Sequence, residues 1–219
     1  MIENMPRNLD GYAKVDNMPE PRAEIFTLDE LKALWQKATP RIRCWMLLAL
    51  NCGFYQGDIA ELTASEVDWK DGRITRKRSK TGVLGSFKLW DITKEYMLEQ
   101  READAKDDER LFLTRPRFEA EQVMPLVTEK IVDGTVRRTD AVKTGFWKLL
   151  RKIGINSGRS FSSLRNTGAS LIEQIDPLVT ELYLSHATVG MKKHYVKRDW
   201  SRLDRALKRM EKQVQNVLK

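Results

Sequence analysis

Apolar positions along the chain recur at a helical spacing for most of its length and switch to strict alternation over one central stretch. Thr27-Leu28-Asp29-Glu30 matches a capping box, Thr27 with Glu30, and the helical pattern LKALWQKA follows it. Pro40 breaks that helix, and RIRCWMLLALNCG is a second, strongly apolar one ending at Gly53. DIAELTAS is a short third helix. The period then becomes two: RITRKRS and GSFKLWD, joined by KTGVL, predict a β-hairpin with Gly82 in its turn, and VDWKDG offers a further strand. From Thr93 the helical period returns in TKEYMLEQREA, AVKTGFWKLLRKIGI, SSLRNTGASLIEQI and PLVTELYLSH; roughly 114 to 140 carries no readable pattern. The predicted fold class is mainly α with a small antiparallel β-sheet (α+β) and no internal repeat.

Both ends differ from this middle. Residues 1–24 hold Pro6, Pro19 and Pro21 among polar neighbours and read as an arm or linker, which leaves 25–198 as the folded domain. A long helix over 199–219 carries Trp200, Leu203, Leu207, Met210, Val214 and Val217 at spacings of 3, 4, 3, 4, 3. That narrow apolar seam has the coiled-coil period and suits docking either on its own domain or on a second protomer.

Charge changes the picture of the partner. A net charge of +8 favours a polyanion, and the excess is local: RITRKRSK at 73–80 has five basic residues and no acid. From Thr188 onward ten Lys or Arg face only Asp199, Asp204 and Glu211. Arg76, Lys77 and Arg78, with Lys192, Lys193, Lys197 and Arg198, are therefore the candidate nucleic-acid contacts. The longest apolar run, CWMLLAL, is too short to span a bilayer, and the N-terminus has no apolar signal core. Cys44 and Cys52 lie on one predicted helix about 12 Å apart, too far for a disulfide, so they read as core thiols of a cytoplasmic protein. With two histidines and no HExxH or CxxC there is no metal site to predict, and no cofactor motif is present.

What chemistry remains is concentrated in LYLSHATVGMKKHYVKRD, residues 182–199, which holds His186, His194 and Tyr195. With Lys80 on the hairpin turn and Arg165 near a helix start, these are the parts that phosphoryl transfer without a metal requires. A tyrosine oxygen can attack a phosphodiester, a cationic acid can protonate the leaving hydroxyl, and guanidinium groups can neutralise the nonbridging oxygens.

The order of these segments resembles the catalytic domain of the tyrosine recombinase (phage integrase) family, from about Phe26 to the C-terminus. CGFYQGDIAEL stands where the family has Thr-Gly-Leu-Arg-x-x-Glu-Leu, and the strand EVDW and the KTG turn at 80–82 follow. LFLT sits at the family's Leu-Phe segment, and SSLRNTGAS at 162–170 is similar to the His-x-Leu-Arg-His-Thr-x-Ala-Thr box. LSH at 184–186 corresponds to Leu-Gly-His, with Tyr195 nine residues beyond. The resemblance implies Tyr195 as nucleophile, Lys80 as general acid, Arg165 as phosphate clamp and His186 as hydrogen-bond donor to the phosphate or leaving group. It also implies double-stranded DNA as substrate, no cofactor or metal, assembly on DNA through an exchanged C-terminal helix, and a protein associated with the nucleoid when bound. The function expected is DNA strand cleavage and rejoining through a 3′-phosphotyrosine.

The chain departs from the family pattern at Tyr55, Asp58, Ser162 and Asn166, and two of these, Tyr55 and Ser162, vacate catalytic positions. An ungapped alignment puts Tyr55 at the first catalytic arginine, and Ser162 replaces the histidine of the second box. A transition-state arginine contributes roughly 10³–10⁵ in rate and a general acid or base roughly 10²–10⁴. Arg198, beside the nucleophile, is the expected substitute cation. The alternative function is a catalytically impaired relative that binds DNA or partners an active recombinase.

Overall fold

The computed structural model describes residues 24–78, 82–115, 122–155, 158–186 and 198–218. The first two helices are α1, Leu28–Lys37, and α2, Pro40–Cys52. The capping box of α1 forms as the sequence predicts, Glu30 N donating to Thr27 Oγ1 at 3.2 Å and Thr27 N to Glu30 Oε2 at 2.9 Å. Pro40 does more than end a helix: it is the first residue of α2, where its missing N–H has no intrahelical partner to lose. Every residue from Cys44 to Cys52 is buried, which explains why this helix is apolar on all sides rather than along a stripe. It is the centre of the core, and Cys44 and Cys52 are free thiols within it.

Gly53 closes α2 in the left-handed conformation, φ 62°. Helix α3, Gln56–Glu61, follows, starting two residues before the predicted segment. Strands β1 (Val67–Asp68), β2 (Arg73–Lys77) and β3 (Leu84–Lys88) form an antiparallel sheet in that order, with Ile74 opposite Phe87 and Arg76 opposite Gly85. The predicted hairpin is present, with Arg78 N bonded to Val83 O at 2.9 Å and Gly82 at φ 64°.

After α4 (Asp91–Gln100) comes a second hairpin, β4 (Val127–Val132) and β5 (Thr135–Asp140), within the stretch that carried no readable pattern. Its tip is Asp133-Gly134, both at positive φ, the conformation of a two-residue type I′ turn. Helices α5 (Ala141–Lys152), α6 (Ser162–Ile175) and α7 (Thr180–Tyr183) lead to the last helix, α8 (Trp200–Leu218).

The seam of α8 is filled within the chain. Leu203, Leu207, Met210 and Val214 are buried against the same core as α1 and α6, and Trp200 and Val217 lie at its edge. Polar contacts fix its position. Trp90 Nε1 donates to Leu207 O at 2.9 Å, and Arg73 pairs with Asp204. Arg202 grips Asp176 through Nε and Nη2 at 2.6 and 3.0 Å. The buried Glu211 carboxylate sits at the start of α4, accepting from Asp91 N at 3.3 Å and Lys208 Nζ at 2.7 Å, where the helix dipole favours an anion. Ahead of α1, Phe26 N donates to Thr167 Oγ1 of α6 at 2.9 Å, which ties the approach to α1 to the core. Among the described residues, no helix is long and apolar enough to cross a membrane.

Candidate active site

The site is assembled where the C-terminal end of α2, the start of α6, the end of β2 and the segment after α7 meet. Helix α6 can lie this close to α2 because Gly168 has no side chain: a Cβ there would fall on the Tyr183 hydroxyl and 3.1 Å from Leu50 O. Tyr183 is fully buried, and its hydroxyl donates to Leu50 O at 2.8 Å and Ala49 O at 3.2 Å. Those are last-turn carbonyls of α2, which no helical N–H can satisfy. Burial pushes the Tyr183 phenol far above the usual tyrosine range, so it stays neutral and structural.

One residue beyond Tyr183, the Leu184 carbonyl oxygen receives two guanidinium groups. Arg165 Nη2 donates to it at 2.6 Å and Arg78 Nη1 at 3.1 Å, while Arg165 Nη1 donates to Gly53 O. Both guanidiniums also lie on the Tyr55 ring, 4.7 Å (Arg165) and 5.0 Å (Arg78) from its centroid. Arg165 is only 3% exposed. Burial lowers its pKa from the ordinary arginine range and the charge of Arg78 lowers it further, with Asp58 among the groups acting in opposition. Among the described residues, neither arginine makes a salt bridge to a carboxylate. The Asp58 carboxylate is itself engaged, accepting from Tyr55 N at 2.8 Å at the start of α3.

The next two residues complete the turn. Ser185 is buried at φ 48°, a left-handed conformation that costs a residue with a Cβ about 1–2 kcal/mol. Its hydroxyl oxygen sits where a Cβ on Gly85 of β3 would intrude at 2.6 Å, so Gly85 is required for the strand to approach the turn. His186 emerges to solvent and its Nδ1 contacts Glu181 Oε2 at 2.9 Å, which leaves Nε2 for a ligand. Arg165 is thus linked to the segment that carries His186 through the Leu184 carbonyl, two residues before the histidine.

Other predicted residues fall elsewhere. Ser162 begins α6, with its hydroxyl 2.7 Å from that of Ser160, and has no hydrogen bond to Arg165 or His186. Arg76 is not a surface cation: it is 7% exposed, donates to Asp58 O, lies 5.7 Å from the Phe54 ring centroid and faces Glu61 and Glu66 at 3.7 and 3.6 Å. The alternation that buries Ile74 also buries Arg76, and that parity was visible in RITRK. Lys77 points outward. Arg198, expected as the substitute cation, donates to Leu84 O at 2.6 Å and stacks 5.8 Å from the Trp200 ring centroid; none of these contacts is with Tyr55 or Arg165. The second cation at Tyr55, beside Arg165, is Arg78, which sequence alone placed among DNA contacts. Lys80, Lys192, Lys193, Tyr195 and Lys197 lie outside the described residues. Among those described, no cluster of His, Cys, Asp or Glu side chains is arranged to hold a metal ion.

Comparison with known proteins defines the class. The phage integrase family matches residues 24–202, and the chain belongs to that family. Its fold is similar to an integrase from mycobacterium phage Brujita (16% identity, TM-score 0.60), over 88% of this chain and 59% of that one. It is similar to the XerA recombinase at 20% identity and TM-score 0.57, over 90% and 66% of the two chains. A lambda integrase dimer bound to a COC′ core site matches at 22% identity and TM-score 0.56, over 83% and 51%. The chain therefore spans from about half to two thirds of the length of these proteins. No curated protein matches by sequence.

Proposed function

We propose that this chain is the strand-exchange domain of a site-specific DNA recombinase, acting on double-stranded DNA through Tyr195. In that reaction the Tyr195 phenol gives up its proton to water, its oxygen bonds to the scissile phosphorus and the bond to the 5′-oxygen breaks. Lys80 protonates the departing oxygen, and the 3′-phosphotyrosine keeps the bond energy for rejoining. Arg165 and the His186 imidazole hold the phosphate, and Lys77, Lys192, Lys193, Lys197 and Arg198 bind the flanking backbone. The domain acts as an oligomer on its DNA, as the lambda integrase dimer on a core site does. If α8 is the exchanged element, it first leaves the groove it fills in its own domain.

The observation that carries the reading is the placement of a buried guanidinium, without a carboxylate partner among the described residues, two backbone residues from an exposed histidine. Buried charge of that kind is costly unless an anion completes it. The second reading, a binding protein with little cleavage activity, draws on Tyr55 and on Ser162, which is engaged with Ser160.

A suicide DNA substrate that releases its 5′-hydroxyl fragment separates the two. A covalent protein–DNA adduct that disappears in Tyr195→Phe establishes strand cleavage. DNA binding that weakens steeply with salt, with no adduct on any cleavable site tested, establishes the second reading.

A further inference from the structure

The position of the missing arginine is occupied by a residue that gathers arginines. The Tyr55 ring lies against Arg165 on one element and Arg78 on another, and both guanidiniums converge on the single carbonyl oxygen of Leu184. Two like charges do not collect at one acceptor for their mutual benefit. A carbonyl oxygen and an aromatic face supply only partial negative charge against two full positive ones. The arrangement gathers cationic hydrogen-bond donors around a small cleft that Phe54, Asp58, Ser185, Arg76, Arg78 and Arg165 line together, where the one carboxylate, Asp58, already accepts from Tyr55 N. A third arginine on that cleft, Arg76, is faced by Glu61 and Glu66. Arg78 has no such carboxylate among the described residues, and it is partly exposed where Arg76 is buried.

We propose that Arg78 supplies the second guanidinium of the phosphate clamp, replacing from the hairpin the arginine that is absent at Tyr55, so that a phosphodiester is held jointly by Arg78 and Arg165 beside His186. This rests on the reading of the site as one for DNA phosphate. It assigns Tyr55 a positioning role: its ring is the platform that holds two repelling cations in register until the anion arrives. Arg78 follows Lys77 at the end of β2 and is tied to Val83 O through its own N–H.

The test uses the full chain with arginine side chains labelled for NMR and inorganic phosphate as the probe. The Nε–H resonances of Arg78 and Arg165 are expected to shift with one common dissociation constant, and Arg78→Gln is expected to weaken phosphate at least about tenfold. A response from Arg165 with Arg78 silent overturns the proposal, and this measurement on the unmutated chain needs neither a folded variant nor cleavage. In the suicide-substrate assay, Arg78→Gln is expected to slow adduct formation by about 10³-fold or more; an unchanged rate in this variant also overturns the proposal. If the unmutated chain forms no adduct while both arginines report phosphate, strand cleavage fails and the clamp stands.

Discussion

Replacing Gly168 by alanine places a methyl group on the Tyr183 hydroxyl and 2.9 Å from its ring carbon Cζ, with Leu50 O at 3.1 Å behind it. Neither neighbour can yield easily, because Tyr183 is fully buried and the carbonyl belongs to the central helix α2. Overpacking of this kind costs about 1–3 kcal/mol. Displacing the hydroxyl from Leu50 O and Ala49 O adds about 1 kcal/mol. Gly168→Ala is therefore expected to lose about 2–4 kcal/mol, and at roughly 2–4 °C per kcal/mol for a chain of this size the melting temperature falls by about 4–16 °C. Urea unfolding followed by tryptophan fluorescence and far-UV CD gives the stability directly. Tyr183→Phe alone is expected to cost about 1 kcal/mol through the lost hydrogen bonds. In the double variant the hydroxyl is no longer there to be struck, so its cost should fall short of the sum by about 1 kcal/mol or more. Additivity within about 0.5 kcal/mol would mean that the clash is not with the hydroxyl, and the packing argument would be refuted. Because Leu184 follows Tyr183, any displacement also moves the carbonyl on which Arg78 and Arg165 converge.

Two further outcomes are expected. Ser185→Gly removes the left-handed strain at φ 48° and should raise stability by about 1 kcal/mol in urea titrations; a loss would show that the serine side chain contributes more than its backbone costs. Arg76→Ala and Lys77→Ala should separate cleanly although the residues are adjacent. The first strips a buried cation from Glu61, Glu66 and the Phe54 ring and should cost about 3 kcal/mol in stability. The second should leave stability within about 0.5 kcal/mol and lower the slope of log affinity for DNA against log salt by about 0.9.

What sequence could show depended on whether a feature is local. The α1 capping box, the apolar α2 and the Gly82 turn are decided by residues a few positions apart, and all three are present as read. The β4–β5 hairpin escaped because its residues are mostly exposed on both faces, Ile131 and Val136 included, so no alternation was imposed on them. Its one local signal was the Asp133-Gly134 pair. At the candidate site, Arg165 and His186 could be singled out because each sits in a contiguous motif. Arg78 reaches Tyr55 and Leu184 across the fold, 106 residues from Leu184 in sequence, and nothing in RKRSK distinguishes it from its neighbours. The basic run at 73–80 marks Arg76 as a DNA contact, although strand parity in RITRK, which puts it on the face of Ile74, is the signal against it.

The groove that holds α8 is itself a code. A helix lying there meets the Trp90 indole N–H, the Arg73 guanidinium, the Asp176 carboxylate and the Asp91 backbone N–H, each waiting at a fixed height. A foreign amphipathic helix could match the apolar seam, since leucine and valine are common currency among helices. It would still leave several half-buried donors and acceptors unanswered, at roughly 1–3 kcal/mol each. Only a sequence with an arginine, an aspartate and a glutamate spaced as Arg202, Asp204 and Glu211 are spaced answers all of them. Within this chain, those three residues are what fit α8 to its groove beyond its apolar seam.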